Sequence, residues 1–172
     1  MKKLYRRLKI SKMEDKLEII MDTREKHDFF LFESYPDVEV TRKKLKTGDY
    51  TVKGFENKIT VDRKANTKEW YMNIGQQRKR FANELDRMRS FDEAYFICAF
   101  PFSYFSIFPE KSSIPEAQLK NLKITPSYLR LRVYQIQEQY PTINFIFCDN
   151  KDIAEQKTYE VLRAYYDKNK SR

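Results

Sequence analysis

The sequence predicts an α/β fold in which a mixed β-sheet is flanked by helices, and three observations carry that prediction. Short runs rich in apolar and β-branched residues, most clearly Leu17–Asp22, Glu93–Phe100 and Asn144–Cys148, have the length and composition of strands. Helix-period segments separate and follow the later ones, so the C-terminal part reads strand, helix, strand, helix, which implies a right-handed crossover and a parallel edge to the sheet. Between Gly48 and Lys64, two β-rich runs, Tyr50–Val52 and Lys58–Val61, flank a Gly/Asn-containing connection, the pattern of a hairpin. The 172 residues suit one domain at 17–172, preceded by a basic arm at 1–16.

Taken in order, Leu17–Asp22 is the first strand, ending in an acid. Val38–Leu45 alternates and leads into Gly48 and the hairpin. Residues 65–75, with Trp70, Tyr71, Met72 and Ile74, predict a short helix or turn packed on the sheet. Residues 76–89 predict a helix whose Phe81, Leu85 and Met88 form one apolar face. Glu93–Phe100 is apolar almost throughout, as a strand covered on both faces must be. The aromatic stretch 100–109 is open to three readings: a dimer interface, a platform for a ligand, or packing within the chain. Residues 110–124 read as a polar, mostly irregular connection. Thr125-Pro126 is an N-cap followed by proline at the first helical position, opening a helix with a Leu129, Val133, Ile136, Tyr140 stripe that Pro141 ends. After the strand at Asn144–Cys148, a final helix runs to about Asn169 with Ala154, Thr158, Val161, Leu162 and Tyr165 inward.

Composition excludes several classes. With 41% hydrophobic and 34% charged residues and three glycines, the chain is neither fibrous nor of low complexity. Two cysteines, Cys98 and Cys148, are too few for a zinc cluster or a disulfide framework and read as reduced core thiols. His27, the single histidine, has no imidazole or thiol partner and reads as a surface residue. No stretch has the length of a membrane span or the pattern of a signal peptide, so the expectation is an intracellular protein, cytoplasmic, nucleoid-associated or nuclear, with no membrane partner. A net charge of +9 favours a polyanionic partner.

The hairpin supplies the chemistry. It brings Asp49 and Asp62 together, and two carboxylates at strand ends make a hard oxygen site suited to Mg²⁺, with Mn²⁺ as substitute, which keeps waters and shares positions with phosphate oxygens. Because strand side chains alternate faces, Asp62 and Lys64 point the same way and Arg63 the other. A metal-activated water and a cation near a developing phosphorane are what phosphodiester hydrolysis needs.

These residues resemble a known family. Asp22-Thr-Arg24-Glu25, Gly48-Asp49-Tyr50 and Val61-Asp62-Arg63-Lys64, in that order, are similar to the nuclease domain of the XPF family, a branch of the PD-(D/E)xK superfamily, over roughly residues 17–168. The resemblance implies a restriction-endonuclease-like fold. It also implies a divalent-metal site of Asp49, Asp62 and the Val61 carbonyl, extended by Asp22. Lys64 would then be the catalytic cation, with Arg24, Arg63 and Arg78 as substrate-binding residues. A structural Asp22–Arg24 pair is the competing reading of the first motif. Two departures stand out: Asp62 and Lys68 occupy places where the family has Glu and Asp, with Glu69 beside the second, and no helix-hairpin-helix units follow residue 172.

The implied function is a stand-alone, structure-specific endonuclease acting on branched DNA (flap, fork or four-way junction), with roles in repair or recombination. The rival is a catalytically inactive DNA-binding scaffold that partners an active nuclease. A homodimer, with apolar surface around Phe105, and a targeting partner protein are further expectations. The basic arm reads either as a solvated terminus or as a DNA contact.

Overall fold

The computed structural model describes residues 15–25 and 30–170; residues 1–14 of the basic arm and His27 lie outside them. Six strands form one mixed sheet: β1 (Leu17–Met21), β2 (Val38–Arg42), β3 (Tyr50–Val52), β4 (Ile59–Lys64), β5 (Glu93–Cys98) and β6 (Ile143–Phe147), in spatial order β2-β1-β3-β4-β5-β6. β3 is antiparallel to both its neighbours, while β1–β2, β4–β5 and β5–β6 are parallel. Five α-helices accompany them: α1 (Thr67–Ile74), α2 (Arg78–Met88), α3 (Glu116–Leu119), α4 (Pro126–Gln139) and α5 (Lys151–Asn169). The fold is the restriction-endonuclease-like α/β architecture that the sequence predicts.

Each sheet face has its own core. On one, Trp70 of α1, Phe81 and Leu85 of α2 and Leu129 and Val133 of α4 close over Phe96 and Cys98 of β5. On the other, Leu162 and Tyr165 of α5 pack with Leu17 and Ile19 of β1, Tyr50 of β3 and Val61 of β4. The helix starts follow the sequence: the Thr125 hydroxyl accepts the Tyr128 N–H at 3.2 Å and the Asn150 side chain accepts the Ile153 N–H at 3.0 Å.

β4 runs three residues past the expected Val61 because β5 lies along it in parallel, opposing Asp62 with Phe96 and Lys64 with Cys98. Its whole length is buried, charged end included. Charged residues on a central strand demand local compensation, and this places a site at the C-terminal end of β4.

One expectation changes. The aromatic stretch packs within the chain: Phe100, Phe105 and Phe108 are buried, with the Phe105 ring 5.5 Å from Phe100 and 5.8 Å from Phe147. Phe105 therefore offers no surface for pairing. The connection at 110–124 is mostly irregular, as expected, with the single turn of α3 in it.

Candidate active site

Gly48 and the β3–β4 hairpin build the site. Gly48 takes a left-handed backbone, φ +73°, and a Cβ there would lie 2.1 Å from the Thr60 hydroxyl and 2.9 Å from the Val61 carbonyl. Only glycine lets the chain approach β4 this closely. The Asp49 N–H then donates to the Val61 carbonyl at 2.8 Å, and the Arg63 N–H donates to Asp49 Oδ2 at 2.8 Å, so backbone on both sides aims this carboxylate.

Asp49, Asp62 and Lys64 line one cleft of about 310 Å³. Lys64 is ion-paired with Asp62, and its Nζ lies 5.0 Å from the Phe96 ring centroid and 5.8 Å from that of Phe81. Arg63 donates from its guanidinium to buried Glu25 at 2.9 Å and lies 3.8 Å from Glu69. All three line the same cleft as Asp62 and Lys64, so strand alternation does not take Arg63 away from it.

The electrostatics are those of carboxylates short of positive charge. Burial, then the charges of Asp62 and Glu25, push the Asp49 carboxyl well above its ordinary value. Burial and Asp62 push Glu84 up to about 7. Burial alone would lower the Lys64 ammonium, but Asp62 and Glu84 beside it outweigh that and raise it, so Lys64 is a fixed cation and not a base.

Among the described residues, no three Asp, Glu, His or Cys side chains form a ready metal cage. The donor set still fits Mg²⁺, which prefers one or two carboxylates, its own waters and substrate oxygens, and whose charge relieves the repulsion that raises Asp49. The Val61 carbonyl stands beside Asp49 and keeps a second lone pair for such an ion.

Asp22 and Arg24 are arranged differently. The Asp22 carboxylate is buried and accepts four hydrogen bonds: Arg24 Nε at 2.7 Å, Arg24 Nη2 at 3.0 Å, and the backbone N–H groups of Arg24 at 2.7 Å and Leu45 at 2.6 Å. Burial, which opposes ionisation, is outweighed by these bonds, so its pKa is lowered. Asp22 does not line the cleft; Arg24 does. The pair orders the β1 turn and presents the arginine.

Arg78 is exposed and outside the cleft; Lys68, half-buried, is outside it too, while Glu69 next to Lys68 lines it. Residues that motif reading did not assign to the site are Gln77, at the N-cap of α2, and Arg80, Glu84 and Arg87 along it, with Lys46 also lining the cleft. Their signal was present: they flank the Phe81, Leu85, Met88 core stripe, and the edge of such a stripe is where a helix meets a neighbouring cleft.

Fold and cleft together define a restriction-endonuclease-like α/β protein with paired acids and a lysine at the end of a central strand. Among solved structures it resembles XPF from Aeropyrum pernix, with TM-score 0.62 and 17% sequence identity over 86% of this chain and 61% of that one. It also resembles XPF from Aeropyrum pernix in complex with DNA, with TM-score 0.61 and 17% identity over 88% of this chain and 66% of that one. The chain thus spans under two thirds of either solved chain, and its fold is XPF-like. No family model matches the sequence, and no curated protein sequence matches it.

Proposed function

We propose that the protein is a divalent-metal-dependent endonuclease that hydrolyses phosphodiester bonds in branched DNA. The observation that carries this is the cleft itself, with Asp49, Asp62 and Lys64 at its floor and Arg24, Lys46, Arg80 and Arg87 on its walls. Acids at the base of a cation-walled groove suit a polyanion whose scissile phosphate must sit against a metal. The DNA-bound state of the Aeropyrum pernix protein of like fold supports the same partner.

Asp49 and Asp62, with the Val61 carbonyl, would hold Mg²⁺ or Mn²⁺. When bound, the ion supplies Lewis acidity and lowers the pKa of a coordinated water. Lys64, kept as an ammonium, donates to the attacking water or to a non-bridging phosphate oxygen and stabilises the charge that develops there. The Arg63 backbone N–H keeps Asp49 aimed, and the Arg63–Glu25 pair holds that segment of β4 in place. Arg24, Arg80 and Arg87 contact flanking phosphates, so DNA is read by shape and backbone. Asp22 serves by positioning Arg24.

Pairing of two copies would use the exposed side of α4, where Tyr128, Leu131 and Tyr134 are 44%, 51% and 49% exposed, close to Ile107. Light scattering of Leu131→Asp beside the native protein tests this: a native monomer at micromolar concentration excludes it.

The test of the activity is cleavage of labelled duplex, flap, fork and four-way junction DNA with Mg²⁺ or Mn²⁺, beside Asp62→Ala and Lys64→Ala. Cutting of a branched substrate that both variants abolish supports the proposal. No cutting by any protein, with salt-sensitive binding retained, supports the inactive scaffold instead.

A further inference from the structure

A second cavity lies on the far side of α1 from the cleft, with a volume of about 450 Å³. Helix α1 is the partition: Glu69 and Asn73 face the cleft, while Lys68, Tyr71 and Met72, with Gln76 just beyond its C-terminal end, face the cavity. The opposite wall is Gln118, Asn121 and Leu122, from α3 and the residues after it. The chemistry of this lining is specific. Three side-chain amides each offer both donor and acceptor, the combination that matches the edge of a nucleobase. Tyr71 gives an aromatic face, stacked on Phe108 at 5.5 Å between centroids, which fixes the ring. Lys68 gives one cation, and no carboxylate lines the space, so it favours a neutral ring bearing an anionic phosphate over a metal or an amine. Its volume falls within the range of small-ligand sites, about 300–1,000 Å³.

We propose that this cavity receives one unpaired nucleotide of the DNA substrate, its base among Tyr71, Gln76, Gln118 and Asn121 and its phosphate near Lys68. The inference rests on the nuclease reading of the cleft and adds a source of branch specificity to it. One helix, about 10 Å across, separates the two cavities, so a strand passing the acids has neighbouring nucleotides within reach. Placing a base there requires that it be unstacked and unpaired. The cost is least where a branch has already freed the base, so the pocket would favour branched over continuous DNA.

The experiment uses the full chain and fork DNA carrying 2-aminopurine at successive positions around the branch, with fluorescence read in EDTA so that nothing is cut. The variant is Gln118→Ala/Asn121→Ala, both exposed in the free protein, with Lys68→Ala as a second. The proposal expects one position whose fluorescence changes on binding, and loss of that change in the double variant. It also expects about a tenfold rise in KM for fork cleavage with kcat and the Mg²⁺ thermal shift unchanged. An identical fluorescence pattern in native and variant proteins overturns it. So does an unchanged fork-to-duplex ratio, or binding of free dAMP with no effect at any strand position. Failure of the nuclease reading would show separately, as absence of cleavage with the metal-free fluorescence result still readable.

Discussion

Replacing Gly48 with alanine tests the account of how the acids are brought together. Gly48 and Gly54 both have left-handed backbones, φ +73° and +85°, so alanine at either carries the same conformational cost, about 1–2 kcal/mol. They differ in surroundings. A Cβ at Gly54 has nothing within 4 Å, whereas one at Gly48 meets the Thr60 hydroxyl at 2.1 Å and the Val61 carbonyl at 2.9 Å. Thr60 must rotate away and give up its hydrogen bond to the Thr47 carbonyl, at 3.1 Å and buried. A buried partner left unsatisfied costs about 1–3 kcal/mol, and β4 backbone must still shift. Gly48→Ala should therefore destabilise by about 2–5 kcal/mol in total and Gly54→Ala by about 1–2 kcal/mol. The assay is urea unfolding followed by Trp70, the single tryptophan, which is fully buried and reports the core beside the site. Equal midpoints and slopes for the two variants would refute the claim that close approach, and not backbone conformation alone, demands glycine at 48.

Further predictions follow from the buried charges. Arg63→Ala removes the guanidinium paired with buried Glu25 and should cost about 3–5 kcal/mol, with much of that recovered in Glu25→Gln/Arg63→Met; a loss under about 1 kcal/mol in thermal unfolding contradicts a structural pair. Because the folded-state pKa values of Asp49 and Glu84 are raised, the native protein binds more protons than the unfolded chain above the ordinary carboxylate range. Metal-free stability should thus fall as pH rises from about 4.5 through about 7, and a melting series that rises with pH there argues against it. Protons and Mg²⁺ compete for Asp49, so the Mg²⁺-induced thermal shift should be larger at pH 8 than at pH 6 and vanish in Asp49→Asn. Arg80→Ala and Arg87→Ala should each lower the log–log salt slope of DNA binding by about 1, whereas Arg78→Ala, outside the cleft, should leave it nearly unchanged.

Sequence alone determined the local and periodic features. Alternation on β4 placed Asp62 and Lys64 together, because the two-residue period of a strand is a covalent property of the backbone, while long-range pairing with Glu25 kept Arg63 in the cleft as well. The N-cap at Thr125, the parallel C-terminal edge and the hairpin that joins Asp49 to β4 were legible for the same reason: each depends on neighbours in the chain or on a strong chiral rule. Tertiary structure decided what long-range packing controls. Whether Asp22 was left open to a metal ion or closed by an arginine depended on Leu45, whose N–H arrives from 23 positions along the chain to fill the carboxylate's last acceptor site. Whether the aromatic stretch met solvent depended on Trp70 and Phe147 closing over Phe105. The choice among the cations of α2 turned on how the helix is rolled against the sheet, which the depth of Phe81, Leu85 and Met88 sets; Arg80 and Arg87 came to the cleft and Arg78 to solvent. Sequence periodicity names the buried face of such a helix, but only packing fixes which of its two flanks borders the acids.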